Sequence, residues 1–121
     1  MDINKTLAEL KKEPGFADQV GMVLIHNGVV RGFSRNDHKA VTSITVEPDM
    51  DKIHAICREK EKQPGIFRIV AQCKSGMLKP GDDVMLLIVA GDIREHVKHT
   101  LADLLDTIKS EAVFKQEVYM E

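Results

Sequence analysis

Two histidines are the first residues whose type and spacing could do chemistry. His96 and His99 lie three positions apart in a segment with helical periodicity, so both imidazoles could share one helix face. A zinc site normally takes about three or four protein ligands, and no third ligand follows at a suitable spacing. We therefore interpret the pair as a solvated helix face and predict no metal ligands. The isolated histidines His26, His38 and His54 carry no signal of their own.

Other catalytic patterns are absent from the sequence. It contains no GxSxG, P-loop, GxGxxG or HExxH motif. Asp82 and Asp83 follow a Pro-Gly pair, which favours a turn over an acid/base pair. Most other carboxylates alternate with lysines, as on a charged surface. Cys57 and Cys73 form no CxxC pair and have no histidine at metal-ligand spacing, so they read as reduced thiols.

Composition limits the classes of protein that the chain can belong to. With 121 residues, of which 43% are hydrophobic, residues 1–121 are expected to form a single domain with a real core. The net charge of −2 argues against a general nucleic-acid binder, which needs a basic excess to neutralise phosphates. No apolar stretch approaches the roughly 20 residues of a membrane span, and the polar N-terminus lacks a signal-peptide core. We therefore expect a cytoplasmic protein without nucleic-acid or membrane partners.

The first half of the chain predicts one helix and two strands. Apolar residues at helical spacing mark a short helix in the first dozen residues, ended by Pro14-Gly15. Residues 20–30 are rich in Val, Leu and Ile and predict a strand, which Asn27-Gly28 could bend through a bulge. A polar loop is expected over residues 31–39, followed by an alternating strand over 41–47 with one buried face.

The second half predicts two further helices and three strands. The nearly all-apolar residues 84–90 are typical of a central strand. Asp92, with Glu95 three positions later, predicts a capping box at the start of the longest helix. In chain order, the elements predicted for the second half are a helix over 49–62, a strand over 66–76, a turn at 79–82, a strand over 84–90, a helix over 92–110 and a strand over 112–120.

The order of these elements predicts the fold class. A sequence α, β, β, α, β, β, α, β indicates an α+β protein. We expect a two-layer sandwich of a largely antiparallel or mixed sheet with about three helices. No internal repeat or linker marks a second domain.

Four segments of the chain carry a resemblance to a known family. They are Gly28 to Arg31, Gly76 to Asp82, Val89 to Arg94 and Ile108 to Glu117. In order and approximate spacing they resemble the G-x-V-R, G-x-L-x-x-G-D, His-Arg helix-start and I-K-x-x-x-P-x-W-K-x-E patterns of the molybdopterin synthase large subunit. The resemblance extends over roughly residues 20–117, and it implies an α/β-hammerhead-like fold.

The resemblance implies a sulfur transferase of molybdenum cofactor biosynthesis that needs no cofactor of its own. In that family a ubiquitin-like small subunit inserts a thiocarboxylated Gly-Gly tail into the large subunit. Sulfur is delivered twice to cyclic pyranopterin monophosphate, which becomes molybdopterin. The large subunit is a homodimer within a heterotetramer. Matching the motifs residue by residue makes Lys109 and Lys115 the catalytic lysines, and Arg31 and Arg94 candidates for binding the substrate phosphate.

These residue types suit the implied chemistry. Attack on a thiocarboxylate develops negative charge, which preorganised cations stabilise, and a lysine with a lowered pKa can also transfer a proton. Arginine suits bidentate phosphate contacts. Arg94 and Lys109 are separated by roughly 22 Å along one straight helix, so they cannot hold the same phosphate. If both are functional, Arg94 serves the site of the partner subunit.

Each candidate residue also has a structural interpretation. Lys109 in a last helical turn meets the helix dipole favourably, and Lys115 could be an exposed edge residue. Arg94 could pair with a neighbouring acid. The joint spacing favours the functional interpretation for the two lysines.

Two other protein classes remain open at this point. A non-catalytic paralogue would dimerise, or bind the small-subunit tail or a pterin, without transferring sulfur. It is suggested by Ile93 where the family usually has His, and by one residue fewer between the lysines than the family commonly has. The C-terminal extension of typical members is also expected to be missing after Glu121. An unrelated α+β dimerisation domain would leave both lysines in open solvent, whereas a shared anion-binding pocket would exclude it.

Overall fold

The computed structural model describes residues 1–120, so Glu121 and the expectation about an extension after it lie outside the described residues. Ten elements follow one another along these described residues. They are α1 (Ile3–Lys11), α2 (Phe16–Gln19), β1 (Met22–Val29), β2 (Val41–Pro48), α3 (Met50–Lys60), β3 (Ile66–Cys73), β4 (Gly76–Leu78), β5 (Asp83–Gly91), α4 (Arg94–Glu111) and β6 (Val113–Tyr119). Helix α2, a single turn after Gly15, was not predicted.

In the part of the chain that the structure describes, six strands form two antiparallel sheets, which confirms the α+β class. The first sheet has the order β1-β5-β3 and the second the order β4-β2-β6. Strand β5 is central in the first sheet, as its apolar sequence predicts, and residues 86–90 are fully buried. The strands therefore divide between two sheets, where the sequence suggested one.

The predicted strand over residues 66–76 is wrong beyond Cys73. Strand β3 ends there, and β4 pairs with β2 in the other sheet, with Leu78 opposite Ile44. Gly76 adopts a positive φ of 94°, a conformation that suits glycine and lets the chain change direction. A continuous apolar pattern does not reveal such a switch between sheets.

The core lies on both faces of the first sheet. One face packs with α3, α4 and the second sheet through residues that include Ile53, Val89 and Leu104. The opposite face packs with α1 and α2 around Leu10 and Phe16. Burial of apolar surface stabilises the folded state by about 25 cal/mol per Å². Because the first sheet is packed on both faces, it holds the groups at its end in fixed positions. Within residues 1–120, no helix combines the length and apolar character that crossing a membrane requires.

A bulge and a turn fix the end of β1. The register between β1 and β5 shifts between Gly28 and Val29, as Asn27-Gly28 suggests. Val30 then donates its N–H to the Asp82 carbonyl at 2.9 Å and accepts from the Gly81 N–H at 2.9 Å. Asp82 is a turn residue, as predicted, because its carboxylate accepts from the Lys79 N–H at 2.8 Å. The turn therefore holds the backbone just before the polar loop.

The predicted capping box at Asp92 is wrong. Helix α4 begins at Arg94, and its N-cap, Ile93, has no side-chain hydrogen bond to the helix. The N–H of Asp92 donates to the Gly65 carbonyl at 2.9 Å, which keeps Asp92 beside the first sheet. Its carboxylate accepts from the Ile93 N–H at 2.6 Å and contacts His96 Nδ1 at 2.8 Å. Because the Asp92 carboxylate already has these two partners, it does not cap the first turn of α4.

Candidate functional site

Strand register places Lys115 on the inner face of the second sheet. Lys115 lies opposite Val46, and directly opposed residues of an antiparallel pair point to the same side. Val46 is fully buried, so the Lys115 side chain leaves the strand on the core side. Because β6 is an edge strand, Lys115 also remains accessible to solvent. An accessible ammonium on the core side can contact both a ligand and neighbouring cations.

Helix α4 brings Lys109 to the same end of the molecule. Lys109 lies in the last turn of α4, directly after the buried Ile108. The helix packs against β1, β5 and β6, which fixes where its last turn lies. A lysine at this position interacts favourably with the negative end of the helix dipole. The helix C-terminus therefore lowers the cost of placing a second cation near Lys115.

Both lysines line one cleft of about 290 Å³. The end of β1 and the beginning of β5 form its floor, and the loop after β1 supplies Arg31 and Arg35 to its wall. Its lining residues are His26, Asn27, Gly28, Val29, Arg31, Arg35, Val84, Met85, Lys109 and Lys115. Of the predicted site residues, the structure thus brings Arg31, Lys109 and Lys115 together.

The cleft holds a concentration of positive charge. Within residues 1–120, none of its four lysine and arginine side chains forms an ion pair. Partial burial lowers the pKa of Lys115, and the charges of Lys109 and Arg31 lower it further against the opposing influence of Cys73 and Glu117. A bound anion would relieve this repulsion between like charges. The electrostatics therefore suit a phosphate or a carboxylate.

Sequence reasoning missed two residues of this cleft, Arg35 and His26. Arg35 lies in a polar loop whose path the sequence does not fix. His26 was set aside as an isolated histidine, yet it alternates with Leu24 and Gly28 on the inward face of β1. A polar residue at an inward position of an otherwise apolar strand was the available signal.

Arg94 lies away from the cleft within one chain. It begins α4, whereas Lys109 lies in the last turn, so roughly 22 Å of helix axis separates them. Its side chain is 74% exposed, and its Nε lies 3.6 Å from a carboxylate oxygen of Glu95. One chain by itself therefore forms a site with Arg31 and without Arg94.

A second cleft, of about 360 Å³, lies between α1, α3 and the edge strand β3. Its cations are already neutralised, because Arg68 pairs with Glu13 at 3.0 Å and Arg58 pairs with Glu61 at 3.0 Å. Arg58 also donates to the Ile69 carbonyl at 2.8 Å. These contacts cover a strand edge and leave no free positive charge for an anion. The cleft around Lys109 and Lys115 is the better candidate site.

The other sequence candidates have structural roles. His96 pairs with Asp92, and within residues 1–120 no cluster of three or more His, Cys, Asp or Glu residues could hold a metal ion. Cys57 and Cys73 are free thiols. Burial raises the pKa of the Cys57 thiol to about 11, so it stays protonated at neutral pH.

Two antiparallel sheets and a cleft with four cations define an α+β protein suited to binding a small anion. The chain belongs to the MoaE family, because the family model described as MoaE protein matches residues 1–111. This match includes Arg31, Arg94 and Lys109 and ends before Lys115. The resemblance stated from the four sequence motifs is thereby confirmed.

Known proteins similar to this chain agree with the family. A probable molybdopterin synthase of Haloferax volcanii is 26% identical over 118 residues, covering 93% of this chain and 45% of that protein. The chain therefore spans less than half the length of this relative. The structure of a molybdopterin synthase from Staphylococcus aureus gives a TM-score of 0.79 at 19% identity, covering 100% of this chain and 87% of that chain. At that identity the similarity establishes the fold.

A structure of two subunits in complex is also similar. The complex of subunits 1 and 2 of molybdopterin-converting factor from Helicobacter pylori gives a TM-score of 0.67 at 13% identity. The similarity covers 99% of this chain and 85% of the matched chain. The same fold therefore occurs in an assembly of two different subunits.

Proposed function

We propose that this chain is the catalytic large subunit of a molybdopterin synthase. It accepts sulfur from the thiocarboxylated Gly-Gly tail of a ubiquitin-like small subunit and transfers it to cyclic pyranopterin monophosphate. The observation that carries this proposal is the convergence of Lys109, Lys115 and Arg31 in one cleft of a MoaE-family chain. Because the lysines share that cleft, the alternative of an unrelated dimerisation domain loses its support.

The two lysines have complementary roles in this reaction. The sulfur donor carries a thiocarboxylate, and tetrahedral intermediates at its carbonyl carbon carry an oxyanion. Cations held by the fold before the reaction stabilise that developing charge without reorganising. Lys109 acts as the main catalytic lysine, with Lys115 beside it. The lowered pKa of Lys115 also brings this ammonium closer to the range in which it can give up a proton.

Arg31 and Arg35 are placed to hold the phosphate of the substrate. Both arginines come from the loop after β1 and line the cleft wall. A guanidinium binds phosphate oxygens in a bidentate way, which fixes orientation as well as charge. The turn at residues 79–82 anchors the backbone just before Arg31 through two hydrogen bonds to Val30. Arg31 is therefore the better anchored of the two arginines.

The floor of the cleft leaves room for an extended glycine tail. Gly28 has no side chain there, and a Cβ at this position would lie 3.8 Å from the Met85 Cβ and 3.3 Å from His26 Nε2. A tail of two glycines spans roughly 7 Å when extended. Support for a small-subunit partner also comes from the Helicobacter pylori neighbour, which is a complex of two subunits.

Arg94 is assigned to the cleft of a partner copy in a homodimer, within a heterotetramer. Its exposure and its distance from Lys109 support this assignment, because a surface arginine at the far end of α4 is free to cross an interface. In a two-fold assembly each copy would give its Arg94 to the other. The site that one chain forms would then gain a third arginine.

A non-catalytic paralogue is the second candidate function. It is favoured by Ile93, which is 49% exposed at the position where the family usually has a histidine. Such a protein would bind the small-subunit tail or a pterin in the same cleft without transferring sulfur. Both candidate functions use the same cations of the cleft. Binding alone therefore does not distinguish them, whereas sulfur transfer does.

Reconstitution of the reaction tests the proposal. The purified chain is mixed with a thiocarboxylated small subunit and cyclic pyranopterin monophosphate, and molybdopterin is measured. Lys109→Ala serves as the variant and Lys98→Ala, an exposed lysine of the same helix, as the matched control. Molybdopterin from the parent and the control, with a loss of about 10²-fold or more in Lys109→Ala, supports catalysis. Stable binding of the small subunit or of the pterin without product supports the paralogue, and a chain that binds neither and forms no product refutes both.

A further inference from the structure

His26 lies among the cations of the cleft. Its position on β1 is opposite Leu87, and its side chain shares the inward face with Gly28. A Cβ added to Gly28 would come within 3.3 Å of His26 Nε2, so the imidazole lies over the glycine. The ring is half-buried and lines the same cleft as Lys109 and Lys115. It is thus in reach of molecules held there.

His26 is also the one lining side chain suited to accept a proton near neutral pH. The other titratable groups of the lining are Arg31, Arg35, Lys109 and Lys115, whose side chains are cations and have no free lone pair with which to accept a proton. The remaining lining residues are Asn, Gly, Val and Met, which have no basic group. No carboxylate lines this cleft within residues 1–120.

Burial and the nearby positive charges favour the neutral form of the His26 ring. Burial lowers the pKa of His26, and the positive charges of Lys109 on α4 and Lys115 on β6 lower it further. Two carboxylates of adjoining segments stay outside the lining of the cleft: Asp83 accepts from Asn27 at 3.3 Å, and Glu117 lines an adjoining cavity. A neutral imidazole has a free nitrogen lone pair, which is what a general base requires.

The proposed sulfur transfer creates a need for such a base. When the thiocarboxylate sulfur bonds to a carbon of the substrate, a carbon–oxygen bond at that carbon breaks and the oxygen leaves with the bonding electron pair. The small-subunit tail is then joined to the substrate through a thioester. Leaving the sulfur on the substrate then requires the acyl carbon–sulfur bond to break. Water supplies the oxygen, since a thioester and water give a carboxylic acid and a thiol. The attacking water loses one proton, and the departing sulfur takes up one.

We infer that His26 is the catalytic base that removes the proton from this water and returns it to the departing sulfur. The inference rests on the proposed function. The new carbon–oxygen bond forms as an imidazole nitrogen takes the water proton, and Lys109 and Lys115 stabilise the oxyanion. The intermediate collapses with loss of the sulfur, which takes the proton from the imidazolium. The tail leaves as a carboxylic acid, which ionises by giving its proton to solvent, and no oxidant or reductant is needed.

A His26→Gln variant tests this role, because glutamine is polar and cannot act as a base. The reconstituted reaction is quenched in acid, and intact mass is used to detect small subunit joined to the substrate. The expected result is a loss of about 10²-fold in the rate of molybdopterin formation, with accumulation of the joined species. His54→Gln, an exposed histidine of α3, is the matched control and should react like the parent.

Two further readouts separate catalysis from a structural role. The parent rate should fall as pH drops through the lowered pKa of His26, because the base becomes protonated, and His26→Gln should lack this limb. Added imidazole should restore part of the rate to His26→Ala. An active parent with an equally active His26→Gln, or a slow variant without the joined species or imidazole rescue, overturns the role of His26 alone. A parent that forms no molybdopterin refutes the proposed function and this inference with it.

Discussion

Replacing Lys115 by glutamine should make the protein more stable while weakening anion binding. Lys115 is partly desolvated and faces Lys109 and Arg31, which is why its pKa is lowered. The folded state therefore disfavours the charged ammonium relative to the unfolded state. Below the lowered pKa the whole of this cost is present, and it disappears as pH rises towards the ordinary lysine pKa of about 10.4. The variant should gain stability at pH 7.

The size of the gain is small because Lys115 remains accessible to solvent. Exposed charge interactions contribute a few tenths of a kcal/mol each, so two repulsions together give about 0.5 kcal/mol. A chain of this length has an unfolding entropy of about 0.25 kcal/mol per kelvin, which converts the gain into a rise of about 2 °C in Tm. The effect should shrink in high salt because screening weakens the repulsion.

Thermal unfolding at low ionic strength measures this prediction. Lys98→Gln, which removes an exposed lysine outside the cleft, is the matched control and should melt within about 1 °C of the parent. Titration with inorganic phosphate should raise the Tm of the parent more than that of Lys115→Gln, since a ligand stabilises the state that binds it. If the Tm of Lys115→Gln is equal to or below that of the parent, and phosphate raises both equally, then repulsion between the cations of the cleft is refuted.

Two other predictions concern the dimer and the fold. If Arg94 serves the partner cleft, mixing inactive Arg94→Ala and Lys109→Ala dimers should restore about a quarter of the parental activity. Half of the re-formed dimers are mixed, and each mixed dimer has one intact cleft of its two. No recovery after subunit exchange would place both residues in the same cleft. Gly65→Ala should lower Tm more than Gly81→Ala: both have positive φ, but only at Gly65 would a Cβ collide with Asp92 and His96. Equal losses would show that the collision is relieved without cost.

The features that the sequence predicted well depend on local pattern. Residues 84–90 are apolar at every position, as a central strand buried on both faces requires, and β5 is the central strand of the first sheet. Asp49 accepts a hydrogen bond from the Lys52 N–H at 3.1 Å, as expected at the start of α3. The bulge at Gly28 was signalled by an Asn-Gly pair. Each of these depends on neighbours within a few residues.

The features that it did not predict depend on contacts between distant segments. Strand β4 belongs to the second sheet because of its pairing with β2, which no local pattern records. Asp92 fails to cap α4 because residue 65 fixes its backbone. The inward direction of Lys115 follows from the register between β6 and β2. His26 belongs to the cleft because α4 and β6 bring their lysines to it, so its importance could not be seen from its neighbours in the chain.

The stoichiometry of the reconstituted reaction tests the central claim most directly. Molybdopterin and free small-subunit carboxylate are counted in the same reaction, for the parent and for Lys109→Ala. Because the dithiolene needs two sulfur atoms, our account predicts about two carboxylate tails released for each molybdopterin formed by the parent, and neither product above background from the variant. Release of tails without molybdopterin, or an equal yield from Lys109→Ala, would contradict sulfur transfer at this cleft.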